Sequence, residues 1–194
     1  MKKNILSAVF AIVIATAATA GVNPIDGEKK EVNAETSTVT WKGYKFAGSH
    51  YGKINLKSGT LLFDGDKLTG GEFLIDMATI SVEDLKAGEG KEKLEGHLNS
   101  DDFFGVEAHQ TSKLVFSTVK ATGKNSYEVT GDLTIKGKTA PVSFDVSVYG
   151  SKATANLKVD RTVYDIHYGS TNFTDTLKDK AIYDEFDLVV DLQF

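Results

Sequence analysis

The chain of 194 residues has no cysteine, one tryptophan and a single arginine, Arg161. The lack of cysteine excludes a disulfide framework, a thiolate nucleophile, a Cys-ligated metal and a lipid-modified N-terminal cysteine. Stability therefore has to come from a buried core. Basic runs are also missing. There are 22 Lys and Arg against 27 Asp and Glu, a net charge of −5, and lysine and glutamate intermix over Glu28–Glu31 and Glu89–Glu95. A mildly acidic chain of this kind has no electrostatic footprint for nucleic acid or for an anionic membrane surface.

One apolar run stands out, at the start: MKKNILSAVFAIVIATAATA. Lys2 and Lys3, the apolar stretch Ile5–Ala15 and the small residues Ala18-Thr19-Ala20 form the pattern of an export signal. A membrane anchor needs about twenty apolar residues, and this run is shorter. The expectation is a signal peptide over 1–20 cleaved after Ala20, a polar lead-in over 21–35 and one domain over 36–194. The mature protein is expected in the periplasm or secreted, with no stable membrane insertion.

The rest reads as strands. Eight runs have strand character: Ser37–Phe46, Gly52–Asp64, Leu68–Met77, Lys113–Thr122, Ser126–Lys136, Ala140–Tyr149, Lys152–Asp160 and Ile182–Phe194. Turn signals separate most of them, among them Asp64-Gly65-Asp66, Gly123-Lys124-Asn125 and Gly150-Ser151. Alternation is cleanest in the later runs, whereas the earlier ones shift phase near Gly43 and Gly59, as β-bulges would cause. The stretch GDLTIKGKTAPVSF, Gly131–Phe144, shares letters with a phosphate-binding loop. Five residues instead of four separate its glycines, however, and both flanks alternate with period two, so it reads as a hairpin turning at Gly137-Lys138.

One-faced strands joined by short turns bury their apolar side by closing into a barrel. With eight strands the interior is either filled by side chains or holds one small ligand. The predicted fold is all-β, an eight-stranded antiparallel barrel with two interruptions. Ile80–Gly105 carries helical signals: Ser81 with Asp84 resembles a capping box, Leu94 and Leu98 lie four apart, and Ser100 stands as a second cap. Thr162–Lys180 is an aromatic loop with Tyr164, Tyr168 and Phe173.

Catalytic signals are weak. His50, His97, His109 and His167 are scattered without metal-ligand spacing. His97 near Asp101 and Asp102 has no nucleophile motif beside it, which ranks a hydrolase last. Asp101-Asp102 and Asp184-Glu185 are sequence neighbours that point apart, unlike a glycosidase pair. Arg161 ends an alternating strand and opens the aromatic loop. There it suits a phosphate or carboxylate head group, or an ion pair with Asp165 or another nearby acid.

The segments STVTWKGYKFAGSHYGKI, GGEFLIDMATISVEDL, KLEGHLNSDDFF, GDLTIKGKTAPVSFDV and DRTVYDIHYGS, in this order behind an export signal, resemble the YceI-like family of exported bacterial proteins. The resemblance covers nearly the whole mature chain. Its most specific pieces are His97-Leu98 with Ser100, Asp102, Phe103 and Phe104, and the hairpin Gly131–Gly137. It implies an extended lipocalin-like barrel whose apolar tunnel holds a polyisoprenoid or similar long-chain amphiphilic lipid. No other cofactor and no catalytic residue are implied, and the protein is expected as a monomer or homodimer. The expected tunnel lining is Trp41, Phe46, Phe63, Phe73 and Ile75 from the first half of the chain. From the middle come Phe103, Phe104, Phe116, Leu133 and Ile135, and from the last part Phe144, Val146, Leu157, Phe173 and Phe186. Arg161, which matches the arginine opening the family's penultimate loop, and Tyr168 are the expected head-group contacts. Residues Tyr164–Gly169 differ from the commoner family pattern at this entrance. The competing expectation is a non-catalytic structural or interaction module whose barrel is filled by its own aromatics.

Overall fold

The computed structural model describes residues 27–173 and 180–194; the expected export signal lies outside them. The strands are β1 (Glu28–Glu31), β2 (Thr38–Lys45), β3 (Gly48–Asp64), β4 (Lys67–Val82), β5 (Thr111–Ala121), β6 (Ser126–Ile135), β7 (Lys138–Tyr149), β8 (Lys152–Asp160) and β9 (Ile182–Gln193). Each pairs antiparallel with its neighbours in the order β1-β3-β2-β9-β8-β7-β6-β5-β4, and a β3–β4 pairing closes the ring. β1 and β2 lie along the same side of β3, opposite Thr60–Phe63 and Gly48–Ile54 respectively. They form two pieces of one stave, so the barrel has eight staves.

Alternation explains the walls. In β6, Tyr127, Val129, Gly131, Leu133 and Ile135 are buried and the intervening residues are not. In β3 the buried positions are Gly52, Ile54 and Leu56, then Gly59, Leu61 and Phe63. The switch from even to odd numbers falls at the register shift between Leu56 and Ser58, and a second shift lies between Gly43 and Lys45. One extra residue in a strand turns every later side chain to the other face, and these bulges restore the inward direction. The hairpin between β6 and β7 turns on Lys136-Gly137, both with positive φ (51° and 74°). Two left-handed residues are what a two-residue hairpin turn needs to match the twist of its strands.

Strands β2, β4, β6 and β8 run towards one end of the barrel and β3, β5, β7 and β9 run away from it. At that end, here called the capped end, lie the two long excursions, described over residues 83–110 with helix α1 (Lys91–Asn99) and over 161–173 beginning with a 3-10 turn, Arg161–Tyr164. Leu98, Phe104, Val106, Tyr164 and Ile166 are buried there. The opposite, turn end is packed by fully buried Leu61 and Val129 and by Phe63, whose ring lies 5.6 Å from that of Phe194.

Three expectations are corrected. Part of the lead-in, Glu28–Glu31, is strand β1. It is charged and shows no apolar alternation, because its order comes from backbone pairing with β3 and from Lys30 Nζ lying 4.9 Å from the Phe63 ring. Helix does not begin at Ser81: β4 continues through Val82, the Ser81 carbonyl accepts from Trp41 Nε1 (3.1 Å), and Asp84 accepts from the Tyr51 N–H (3.0 Å). Ser100 ends α1 instead of starting a helix, its hydroxyl donating to the His97 carbonyl at 2.7 Å.

Candidate functional site

The barrel encloses a slender cavity of about 180 Å³. Both Ile182 and Leu192 of β9 border it, so it follows about ten residues of that strand, roughly 30 Å at the usual rise. Its walls are hydrocarbon for nearly their whole length. The polar residues that border it are Ser112, whose hydroxyl donates to Met77 Sδ (3.0 Å), Thr154, and Arg161 and Tyr183 at the capped end. Walls this apolar favour an apolar occupant.

Of the residues expected to line a tunnel, Trp41, Phe73, Ile75, Phe103, Phe104 and Phe116 border the cavity, as do Leu133, Ile135, Phe144, Val146, Leu157 and Phe186. Phe73, Phe116 and Phe144 form a tilted aromatic row with centroids 5.6 and 5.7 Å apart. The remainder lie elsewhere. Phe46 sits in the β2–β3 turn, past the last inward position of its strand, and is 63% exposed. Phe173 is 54% exposed and stacks on His167 at 3.7 Å. Phe63 is buried but packs at the turn end beside Phe194. Tyr168 lies outside the cavity, its ring 4.3 Å from that of His97 and nearly perpendicular to it.

Trp41 reaches its place because Gly52 opposes it. A Cβ at Gly52 would lie 1.7 Å from the Ser81 carbonyl oxygen and 2.9 Å from the indole. Gly43, two residues after Trp41, was not anticipated as a site residue. It occupies the next inward position of β2 and borders the cavity, and a Cβ there would meet nothing within 4 Å. Together with the register shift that follows it, this missing side chain leaves open space, a notch, beside the cavity where β2 pairs with β9. A glycine in phase with Val39 and Trp41 inside a strand was the available signal.

Arg161 is 2% exposed. Its Nε donates to the Tyr183 carbonyl (3.2 Å), Nη1 to that of Ile166 (2.7 Å), and Nη2 to that of Ile182 (3.0 Å) and to Asp184 Oδ1 (3.4 Å). The guanidinium thus ties the aromatic excursion to the start of β9, with the Phe103 ring 5.7 Å away. Burial lowers its pKa, opposed by Asp184 and Asp160, and a guanidinium stays charged even so. Its acid partner is Asp184, whereas Asp165 sits 4.0 Å from Lys138. Nearby, burial pushes the Tyr164 phenol up to about 12, so it remains neutral.

His97 has a buried Nε2 with no hydrogen-bond partner and the rings of Tyr168 and Phe103 as neighbours. Among the described residues no side chain hydrogen-bonds to its ring. Among the described residues no group of three or more His, Asp or Glu could hold a metal.

A closed antiparallel barrel around an apolar tunnel defines the class, and the comparisons give the family. The YceI-like domain matches residues 30–194, and the chain belongs to that family. A UPF0312 protein of Shewanella denitrificans is 30% identical over 152 residues, covering 77% of this chain and 75% of its own. A UPF0312 protein of Pseudomonas putida strain W619 is 30% identical over 145 residues, covering 72% and 71%. Among solved structures, Burkholderia cenocepacia BcnA superposes with a TM-score of 0.65 at 24% identity, covering 83% of this chain and 98% of its own. A polyisoprenoid binding domain from Saccharophagus degradans, implicated in plant cell wall breakdown, does so with a TM-score of 0.59 at 14% identity, covering 84% and 97%. At these identities the structural likeness establishes the shared fold.

Proposed function

We propose that this protein is an exported, non-catalytic carrier that holds a polyisoprenoid or similar long-chain amphiphilic lipid in the barrel. The observation that carries this reading is the shape and chemistry of the cavity, slender, apolar along β9 and ending at a single guanidinium. A hydrocarbon chain gains about 0.8 kcal/mol per CH₂ removed from water, and the walls away from Arg161 offer it almost nothing polar to desolvate. The polyisoprenoid binding domain named among the structural relatives supports the same class of ligand. The N-terminal export pattern supports a periplasmic or secreted location.

The head of the ligand sits at Arg161 in this reading. A guanidinium has five N–H groups, and four of them are committed to Tyr183, Ile166, Ile182 and Asp184. Among the described residues one N–H on Nη1 has no partner, enough for a single oxygen but not for a two-oxygen grip on a phosphate. A neutral hydroxyl or carbonyl head therefore fits better than a pyrophosphate.

The test is native mass spectrometry of protein purified from its own host, followed by organic extraction. A stoichiometric, chain-like mass is the expected result. Protein that is repeatedly empty and fails to take up added prenyl alcohol would return the barrel to a filled structural module. Tighter binding of prenyl pyrophosphate than of the matching alcohol would overturn the head-group assignment alone.

A further inference from the structure

Exposed hydrophobic side chains are distributed unevenly over the barrel. Eight large ones are exposed among the described residues, and six of them lie at the capped end: Phe46, Tyr51, Val163, Tyr168, Phe173 and Tyr183, each between 45% and 63% exposed. They come from separate elements: the β2–β3 turn, the beginning of β3, the 3-10 turn, the aromatic excursion and the beginning of β9. Nothing in local sequence requires these elements to expose large apolar side chains at the same end. We infer that the capped end is a docking face for the surface of a lipid bilayer.

Four features favour a bilayer as the occupant. Five of the six side chains are aromatic and three are tyrosines, which place an apolar ring and a hydroxyl together as the interface between headgroups and acyl chains requires. The patch adjoins the Gly43 notch: Phe46 N–H bonds to the Ala181 carbonyl at 3.0 Å, holding the β2–β3 turn beside the start of β9. A chain leaving a membrane by that notch would pass from lipid to tunnel without crossing water. This point rests on the carrier reading above.

The third feature is charge. Several lysines at this end are engaged within the protein: Lys45 Nζ lies 3.1 Å from His50 Nε2, and His50 Nδ1 is 2.7 Å from Asp84. Lys136 donates to the Asp101 carbonyl (2.6 Å) and Lys138 lies 4.0 Å from Asp165. Among the described residues, exposed Lys86 and Lys93 intermix with exposed Glu83, Glu89 and Glu92, Lys180 is a further exposed lysine, and the chain as a whole is negative at −5. Docking is then driven by aromatic insertion and suits a zwitterionic surface. The fourth feature is that no helix among the described residues is long and apolar enough to cross a membrane, so contact by helices would be peripheral.

The experiment is flotation of the full mature chain with phosphatidylcholine vesicles and with vesicles containing phosphatidylglycerol, at low and high salt. Binding to phosphatidylcholine that withstands salt is expected. The triple variant Phe46→Ser, Tyr51→Ser, Val163→Ser replaces no residue bordering the tunnel and should lower the partition coefficient about tenfold or more. Uptake of a short prenyl alcohol offered from solution, read by Trp41 emission inside the tunnel, should be unchanged in that variant. Should the triple variant fold poorly, Phe46→Trp in a Trp41→Phe background reads docking directly, through a blue shift and quenching by bilayer-embedded quencher. No vesicle binding, binding that survives the triple variant, or binding that needs anionic lipid and disappears in salt would overturn the inference. A homodimer abolished by the same substitutions, without vesicle binding, would assign the patch to self-association. Docking that persists while Trp41 reports no lipid uptake would instead sink the carrier reading and leave the docking face standing.

Discussion

Arg161 shows how a residue chosen for one role can be held to another. Its donors satisfy three backbone carbonyls and one carboxylate in a nearly water-free site. Removing a buried charged partner leaves the others unsatisfied, so Arg161→Ala should cost about 3–5 kcal/mol of stability. Arg161→Lys keeps the charge but cannot reach four acceptors from one ammonium and should fall between the two. Urea denaturation checks both, and unchanged midpoints would remove the guanidinium from its structural role. Gly43 makes the opposite case, since its lack of a side chain leaves room. Its backbone lies outside the left-handed region and a Cβ there meets nothing, so Gly43→Phe should fold with little loss while its ring fills the notch. Lower lipid occupancy with a near-native melting temperature is expected. Full occupancy at a native uptake rate would place the entrance elsewhere.

Among the elements, the β6–β7 hairpin depends on two residues in the left-handed region, and only Gly137 takes that conformation without steric cost. Gly137→Ala should destabilise the protein by about 1 kcal/mol, read as a lower urea midpoint with an unchanged slope. A change in slope would mean that the hairpin opens separately. The splayed turn end uses a side chain in place of a ladder. β4 pairs with β5 only over Glu72–Asp76, and beyond it the Tyr127 hydroxyl accepts from the Leu68 N–H (3.3 Å) and donates to the Asp66 carbonyl (3.4 Å). A backbone edge that would otherwise stay open is thereby closed from inside.

For the whole molecule, the carboxylates set the response to acid. Lys158 and Tyr44 hold Asp187 below the ordinary carboxylate range. Burial works against the charge of Asp84, yet the Tyr51 N–H and His50 hold it low as well. Bonding to Lys29 lowers Glu31 and backbone N–H groups lower Glu92. A group whose folded pKa is depressed contributes stability above its unfolded pKa, near 4, and loses it as pH falls through the folded value. The melting temperature should therefore hold at neutral pH and decline below about pH 4. Asp187→Asn should flatten part of that decline, because it removes one of the protons taken up on unfolding. An identical acid slope in the variant would place the linkage in the other carboxylates.

Sequence by itself determined the walls of this protein. Period-two alternation is a local signal, and each inward set, such as Val129, Leu133 and Ile135, can be read from neighbours two residues apart. The two phase shifts were legible for the same reason, since a bulge breaks a pattern already present. Trp41, Phe73 and Phe116 could likewise be placed towards the interior. Tertiary structure decided everything that carries no period. Phe46, Tyr168 and Phe173 lie in turns and excursions, where direction depends on which distant segment packs against them. β1 has a charged sequence and takes its order from the edge of β3. The commitments of Arg161 arise from carbonyls at Ile166, Ile182 and Tyr183 and from Asp184, which approach it only when the excursion folds back onto β9. Whether the barrel is filled or hollow is a balance of side-chain volumes summed around eight staves, a quantity fixed only when the ring closes.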